Sequence, residues 1–169
     1  MTHSEKAASL FKDGYNCAQA VFGAFTDVTG LDEKTAMTLS SSFGGGMGRL
    51  REVCGACTGA FMVAGIIFGY DDPKDDDAKK EHYALIQEFA KRFKEKNNSI
   101  ICRELIEGIA KDTLPAPTPR TEEFYKVRPC LRFVMDAADI LDEIIKEKSN
   151  FNKLCINIDF DLKIIYNTV

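Results

Sequence analysis

The chain has 169 residues, 45% hydrophobic and 28% charged, the composition of one folded domain with its own core. Its net charge of −4, with no basic stripe, argues against nucleic acid. The opening Met1-Thr2-His3-Ser4-Glu5-Lys6 lacks the apolar segment of a signal peptide, so a cytoplasmic location is expected.

Almost everything up to Lys148 is expected to be helical. Ser4 to Lys12 carries Ala7, Ala8, Leu10 and Phe11 on one side. Gly14-Tyr15-Asn16 interrupts it, and Cys17 to Thr26 resumes with Val21, Phe22 and Phe25 at helical spacing. Asp32 caps a third helix to about Phe43, and Gly44-Gly45-Gly46-Met47-Gly48 makes a turn. Val53 to Gly69 is uncharged and apolar all round. It is short of the ~20 residues of a membrane span, so a buried central helix is expected. Its small residues, Gly55, Gly59, Ala60, Ala64 and Gly65, allow close helix approach. The acidic run Asp71 to Asp77 lacks the ligand spacing of a calcium loop and is expected to cap the next helix, Ala78 to Lys96. Ser99 should start a helix to about Ala110, and Pro115, Pro117 and Pro119 a stiff connector. Pro129 opens the last helix, with Leu131, Val134, Met135, Ala138, Leu141, Ile144 and Ile145 as its stripe. Residues 156–164 alternate apolar and polar, which predicts a strand that pairs across a homodimer or packs as an extended arm. The expectation is an all-α, compact bundle of five to seven helices over residues 1–148, followed by an extended or strand-like tail over 149–169.

Chemistry is concentrated in the cysteines. There are six: Cys17, Cys54, Cys57, Cys102, Cys130 and Cys155. In the cytoplasm these point to redox or metal chemistry more than to permanent disulfides. Cys17, Cys54, Cys102 and Cys130 each stand where a helix should begin, and helix N-termini stabilise anions, thiolates included. Cys54-Gly55-Ala56-Cys57 is a CxxC able to form a reversible disulfide. Arg49, Arg51 and Arg103, with Arg128 and Arg132, flank these helix starts. Together with the glycine run they could stabilise a thiolate or hold an anionic ligand, or make surface ion pairs around an interhelical turn. Two chemistries compete. One is dithiol exchange without a cofactor, as in a thiol–disulfide oxidoreductase. The other is a zinc ion or iron–sulfur cluster held by Cys17, Cys54, Cys102 and Cys130 in a non-enzymatic carrier or docking module. His3 and His82 are expected to face solvent, which weakens mixed Cys/His sites, and Thr58 excludes a CxxCH haem attachment.

The segments Gly14-Tyr15-Asn16-Cys17-Ala18-Gln19-Ala20-Val21, Cys54-Gly55-Ala56-Cys57-Thr58-Gly59, Cys102-Arg103-Glu104-Leu105 and Cys130, in that order, resemble the C-GCAxxG-C-C family of redox-active proteins. That family is similar to a domain of split-Soret cytochromes, whose haem motifs are absent from this chain. The resemblance implies that Cys17, Cys54, Cys102 and Cys130 are the family's four cysteines and that Cys57 occupies a variable motif position. It favours Cys54 pairing with one of the dispersed cysteines. The expected reaction has a Cys54 thiolate attack an oxidised partner protein or small disulfide. Cys57 is the local resolving candidate, and Cys17, Cys102 and Cys130 are those implied by the family.

Overall fold

The computed structural model describes residues 1–109 and 113–166, with side chains described as far as residue 150 outside 110–112. Among them are seven helices of six residues or more and no β-strand. They are α1 (His3–Lys12), α2 (Cys17–Ala24), α3 (Glu33–Ser40), α4 (Gly55–Phe68), α5 (Asp76–Asn97), α6 (Glu122–Val127) and α7 (Cys130–Tyr166). Single turns at Thr26–Thr29, Ser41–Phe43, Gly44–Met47 and Cys102–Leu105 join them.

The helix starts follow capping chemistry. Thr2 and Glu5 form a reciprocal capping box on α1, and Asn16 and Gln19 form one on α2. Asp32 accepts from Thr35 N–H at the head of α3, and Asp75 from Ala78 N–H at the head of α5. The acidic run therefore caps a helix, as its composition suggests.

Helix α4 lies at the centre, against α2, α5 and α7. Gly55 to Ala60, Val63 and Ala64 are buried, whereas Gly65 and Ile66 reach the surface, so only the first part of the helix forms the interior. Phe61, Phe89, Phe93 and Phe133 make a run of ring contacts linking α4, α5 and α7. Phe11, Phe22 and Phe25 fill the other side, between α1 and α2. Gly59 sets the α2–α4 spacing, because a Cβ there would lie 2.7 Å from the Ala18 carbonyl oxygen. Among the described residues no helix is long and apolar enough to cross a membrane.

Two expectations need correction. The helix expected from Ser99 to Ala110 is one turn, Cys102–Leu105, with Ile101 at its cap position and Gly108 in the left-handed region at φ 76°. Ser99 Oγ instead accepts from Ile101 N–H. Over 156–164, where alternation predicts a strand, the backbone continues as helix α7. Leu154, Ile158, Leu162 and Ile165 also satisfy a helical period, and short apolar runs fit either template. The argument for a strand pairing across a homodimer lapses with the strand.

A cavity walled by four cysteines and four arginines

Three local structures bring the dispersed cysteines together. First, α2 starts at Cys17 and crosses α4 just after Cys54. A Cβ on Gly55 would lie 3.0 Å from Cys17 Cβ, so the glycines of the CGAxxG segment permit the approach. Second, an isolated antiparallel bridge joins Val53 to Ile101. Cys54 N–H donates to the Ile100 carbonyl (2.7 Å) and Cys102 N–H to that of Glu52 (2.6 Å), which sets Cys54 beside Cys102. Third, the glycine turn folds against this bridge. Gly46 has φ 71°, and a Cβ there would lie 2.6 Å from Cys102 Cβ and 2.9 Å from Arg51 Cα. No other residue fits that position. Cys130 completes the group as the first residue of α7, which packs on both α2 and α4.

These four cysteines line one cavity of about 410 Å³. Arg49, Arg51, Arg120 and Arg128 line it as well. The backbone around the first two is strained: Met47, Arg49 and Arg51 all have left-handed φ, at 62°, 67° and 62°. Such residues cost roughly 1–3 kcal/mol each and persist where surrounding contacts over-determine them. Arg49 donates to the Leu114 carbonyl and to Thr118 Oγ1 (3.0 Å), pinning the proline-rich connector over the cavity. Arg51 is 4% exposed and favours the Cys102 thiolate electrostatically. Arg120 sits between the rings of Phe11 and Phe124, its guanidinium carbon 4.3 and 4.5 Å from their centroids. Its Nη2 donates to the Tyr15 carbonyl (3.1 Å).

The thiols differ in environment. Cys17 and Cys130 are half-buried neighbours, and a hydrogen bond from the Cys17 S–H is the largest influence tying their titrations together. That bond pulls Cys130 down from 9.0 to about 7, against the opposing effect of burial. Arg128, Arg120 and Arg51 reinforce the pull electrostatically. The same bond, together with burial, pushes Cys17 well above the ordinary thiol range. Of the two, Cys130 is the readier to ionise. Cys54 is pushed well up by its hydrogen bond with Cys57 and by burial. Burial pushes Cys102 up to about 11, with Arg51 acting in the opposite direction. Of the four thiols at helix starts, Cys130 is the one pushed down.

Other sequence candidates separate in the same way. Cys57 is fully buried and off the cavity wall. Arg103 turns outward to pair with Glu52 at 2.6 Å, and Arg132 lies over Phe133. The side chain of Cys155 lies outside the described residues. The histidines are not simply solvent-facing: His3 lies between Asp27 and Asp142, and His82 Nδ1 is 3.1 Å from the Phe68 carbonyl. Neither lines the cavity. Arg120 is the residue that sequence reasoning missed, since it sits in the proline connector, ten residues before Cys130. Among the described residues no group of three or more Cys, His, Asp or Glu side chains is arranged to hold a metal ion.

No curated protein and no solved structure matches the chain. A family model matches residues 15–144, a stretch that contains all four cavity cysteines. The chain thus belongs to the family described as "Putative redox-active protein (C_GCAxxG_C_C)".

Proposed function

We propose that the protein carries out two-electron thiol–disulfide chemistry at this cavity, with Cys130 as attacking thiolate and Cys17 as resolving thiol. The observation that carries the reading is that Cys17 and Cys130, two half-buried thiols, share one cavity wall and each dominates the other's titration. Cys130 Sγ attacks one sulfur of an oxidised disulfide, and the other sulfur leaves as a thiolate that takes up a proton. Cys17 then loses its proton to solvent and attacks Cys130 Sγ. This releases the second thiolate and closes a Cys17–Cys130 disulfide. A dithiol, on a partner protein or a small molecule, reduces it again. The cytoplasm, which keeps thiols reduced between turnovers, suits such a couple. Cys54 and Cys102, at 5% and 7% exposure, are poor attackers because burial favours their protonated forms.

A second reading keeps the same cavity. Cys54 and Cys102 line it together with the pair, and four thiols on one wall are the donor types an iron–sulfur cluster takes. Such a cluster would supply one-electron transfer.

Anaerobic purification, with iron, zinc and sulfide analysis and thiol counting before and after one equivalent of disulfide, separates the two. The expected result is no stoichiometric metal and two thiols lost, with Cys17 and Cys130 linked in the peptide map. A Cys130→Ser variant should lose this reaction, and Cys54→Ser should keep it. Stoichiometric iron with sulfide, lost on chelation, would replace the dithiol reading by the cluster reading. Unchanged thiols without metal would refute both.

A further inference from the structure

The proline-rich connector forms part of the cavity wall, and few contacts hold it in place. Pro115, Pro117 and Thr118 line the cavity, yet residues 113–117 and Pro119 are exposed, Leu114 at 67%. None of residues 113–119 joins the hydrophobic core. Among the described residues, 113–120 make no backbone–backbone hydrogen bond, and Pro115, Pro117 and Pro119 have no N–H to offer. The hydrogen bonds that fasten the segment come from two side chains. Arg49 donates to the Leu114 carbonyl and to Thr118 Oγ1, and Arg120 donates to the Tyr15 carbonyl. A segment with so few buried contacts opens at less cost than unfolding the protein. Alternate prolines keep its backbone extended, so it moves as one piece rather than fraying residue by residue.

The two fastenings differ in kind. Arg120 is wedged between the rings of Phe11 and Phe124 and stands next to Thr121, whose side chain caps α6, so this end is anchored. Arg49 reaches across from the glycine turn, and its own backbone is held at φ 67°, which a glycine would adopt without strain. A glycine there would lack the side chain that makes both bonds to the connector. Strain retained at such a position points to a role for the side chain. Behind the connector Cys17 and Cys130 remain half-buried, so a small molecule reaches them while the segment is in place.

We propose that residues 113–119 are a strap over the thiol cavity, latched by Arg49 and hinged at Arg120. Closed, it admits small disulfides; released, it admits the disulfide of a protein partner. The inference takes from the dithiol reading only that a disulfide is what enters. Arg49 and Thr118 act here through the strap and not on the reacting sulfur atoms, so they set the size of what reaches Cys130.

The test uses the full chain, reduced and anaerobic, with two probes that share one reactive group: N-ethylmaleimide and a maleimide carrying a polyethylene glycol chain. Loss of the unmodified Cys130 peptide is followed by mass spectrometry. The bulky-to-small rate ratio is divided by that of a small free thiol, which removes differences between the reagents. When the strap opens and closes faster than the bulky probe reacts, this ratio reports the population of the open form. In the wild type it should lie on the order of tenfold below that of the free thiol. Arg49→Gly keeps the backbone conformation, removes both latch bonds and should raise the ratio several-fold. Thr118→Val removes one of them and should raise it less, and it decides the matter alone if Arg49→Gly fails to fold. Because a ratio is read, any change in thiolate fraction cancels. A wild-type ratio equal to that of the free thiol, or a ratio that folded variants leave unmoved, would overturn the strap. The readout is access to Cys130, so the strap stands or falls separately from the Cys17–Cys130 disulfide.

Discussion

The ionisation of Cys130 can be measured directly. At pH 7 a thiol with a pKa of 9.0 is about 1% ionised and one with a pKa of about 7 is half ionised, roughly fifty times more thiolate. Nucleophilicity falls with pKa, by roughly eightfold over that interval at a Brønsted slope of 0.4–0.5. Cys130 should therefore exchange with a disulfide about sixfold faster than an ordinary thiol at pH 7. The Cys17 S–H contributes most to this. A hydrogen bond to a charged group is worth roughly 1.5–3 kcal/mol, equivalent to about one to two pH units. In Cys17→Ala the midpoint should thus move from about 7 to between roughly 8 and 9. The assay is the rate of iodoacetamide alkylation at Cys130 against pH, followed by mass spectrometry of its peptide. A wild-type midpoint above ~8.5, or a midpoint that Cys17→Ala leaves in place, would refute the argument that this hydrogen bond creates the thiolate.

Gly59→Ala places a Cβ 2.7 Å from the Ala18 carbonyl oxygen and must spread α2 from α4. It should cost about 1–3 kcal/mol in urea unfolding and slow closure of the Cys17–Cys130 disulfide; an unchanged urea midpoint would count against the close crossing. Stability should also vary with pH, in two limbs of opposite sign. Cys102 titrates at about 11 when folded against 9.0 unfolded, so its contribution is complete below pH 9 and lost as pH rises through 11. Cys130 titrates at about 7 when folded, so its contribution is complete above pH 9 and lost as pH falls through 7. Urea midpoints in reductant should accordingly rise from pH 7 to 9 and fall beyond it, and Cys102→Ser should flatten only the alkaline limb. Arg103→Ala, which breaks an exposed pair with Glu52, should leave the Cys130 alkylation midpoint where it is. A shift there would mean that Arg103 acts on the thiol after all.

Much of the fold is legible because local signals and packing agree. Asn16 before Cys17, Asp32 before α3, Asp75 before α5 and Pro129 before Cys130 are helix-start residues, and each stands at a helix start. The apolar stripe of α7 and the aromatic face of α5 have one period that suits them. The misses occur where the chain supplies two readings or none. Residues 156–164 satisfy both strand and helix periods. The segment after Ser99 has helical composition, but pairing of 52–54 with 100–102 uses its first residues and Gly108 turns the chain soon after. The cavity's outer wall had no local signature. Arg120 becomes part of it through contacts distant in sequence: Arg49 ties down the connector at Leu114 and Thr118, and Arg120 itself reaches Tyr15, Phe11 and Phe124.

The four cysteines also show why a shared position in sequence does not give a shared chemistry. Each begins or caps a helical turn, so each receives the N-terminal field, worth roughly 0.3–1 kcal/mol. Burying a charge without a partner costs more than that, so the field alone cannot ionise a thiol inside the protein. Cys54 and Cys102 make the point: both stand at a helix start and both are pushed up. Cys130 differs in two respects, a neighbouring S–H that donates to it and three guanidinium groups that act on it together. A second thiolate nearby would be repelled by the first, as the upward push on Cys17 by Cys130, Cys54 and Cys102 records. The helix starts therefore determine where the thiols collect, whereas the arginines and the Cys17 proton determine which one ionises.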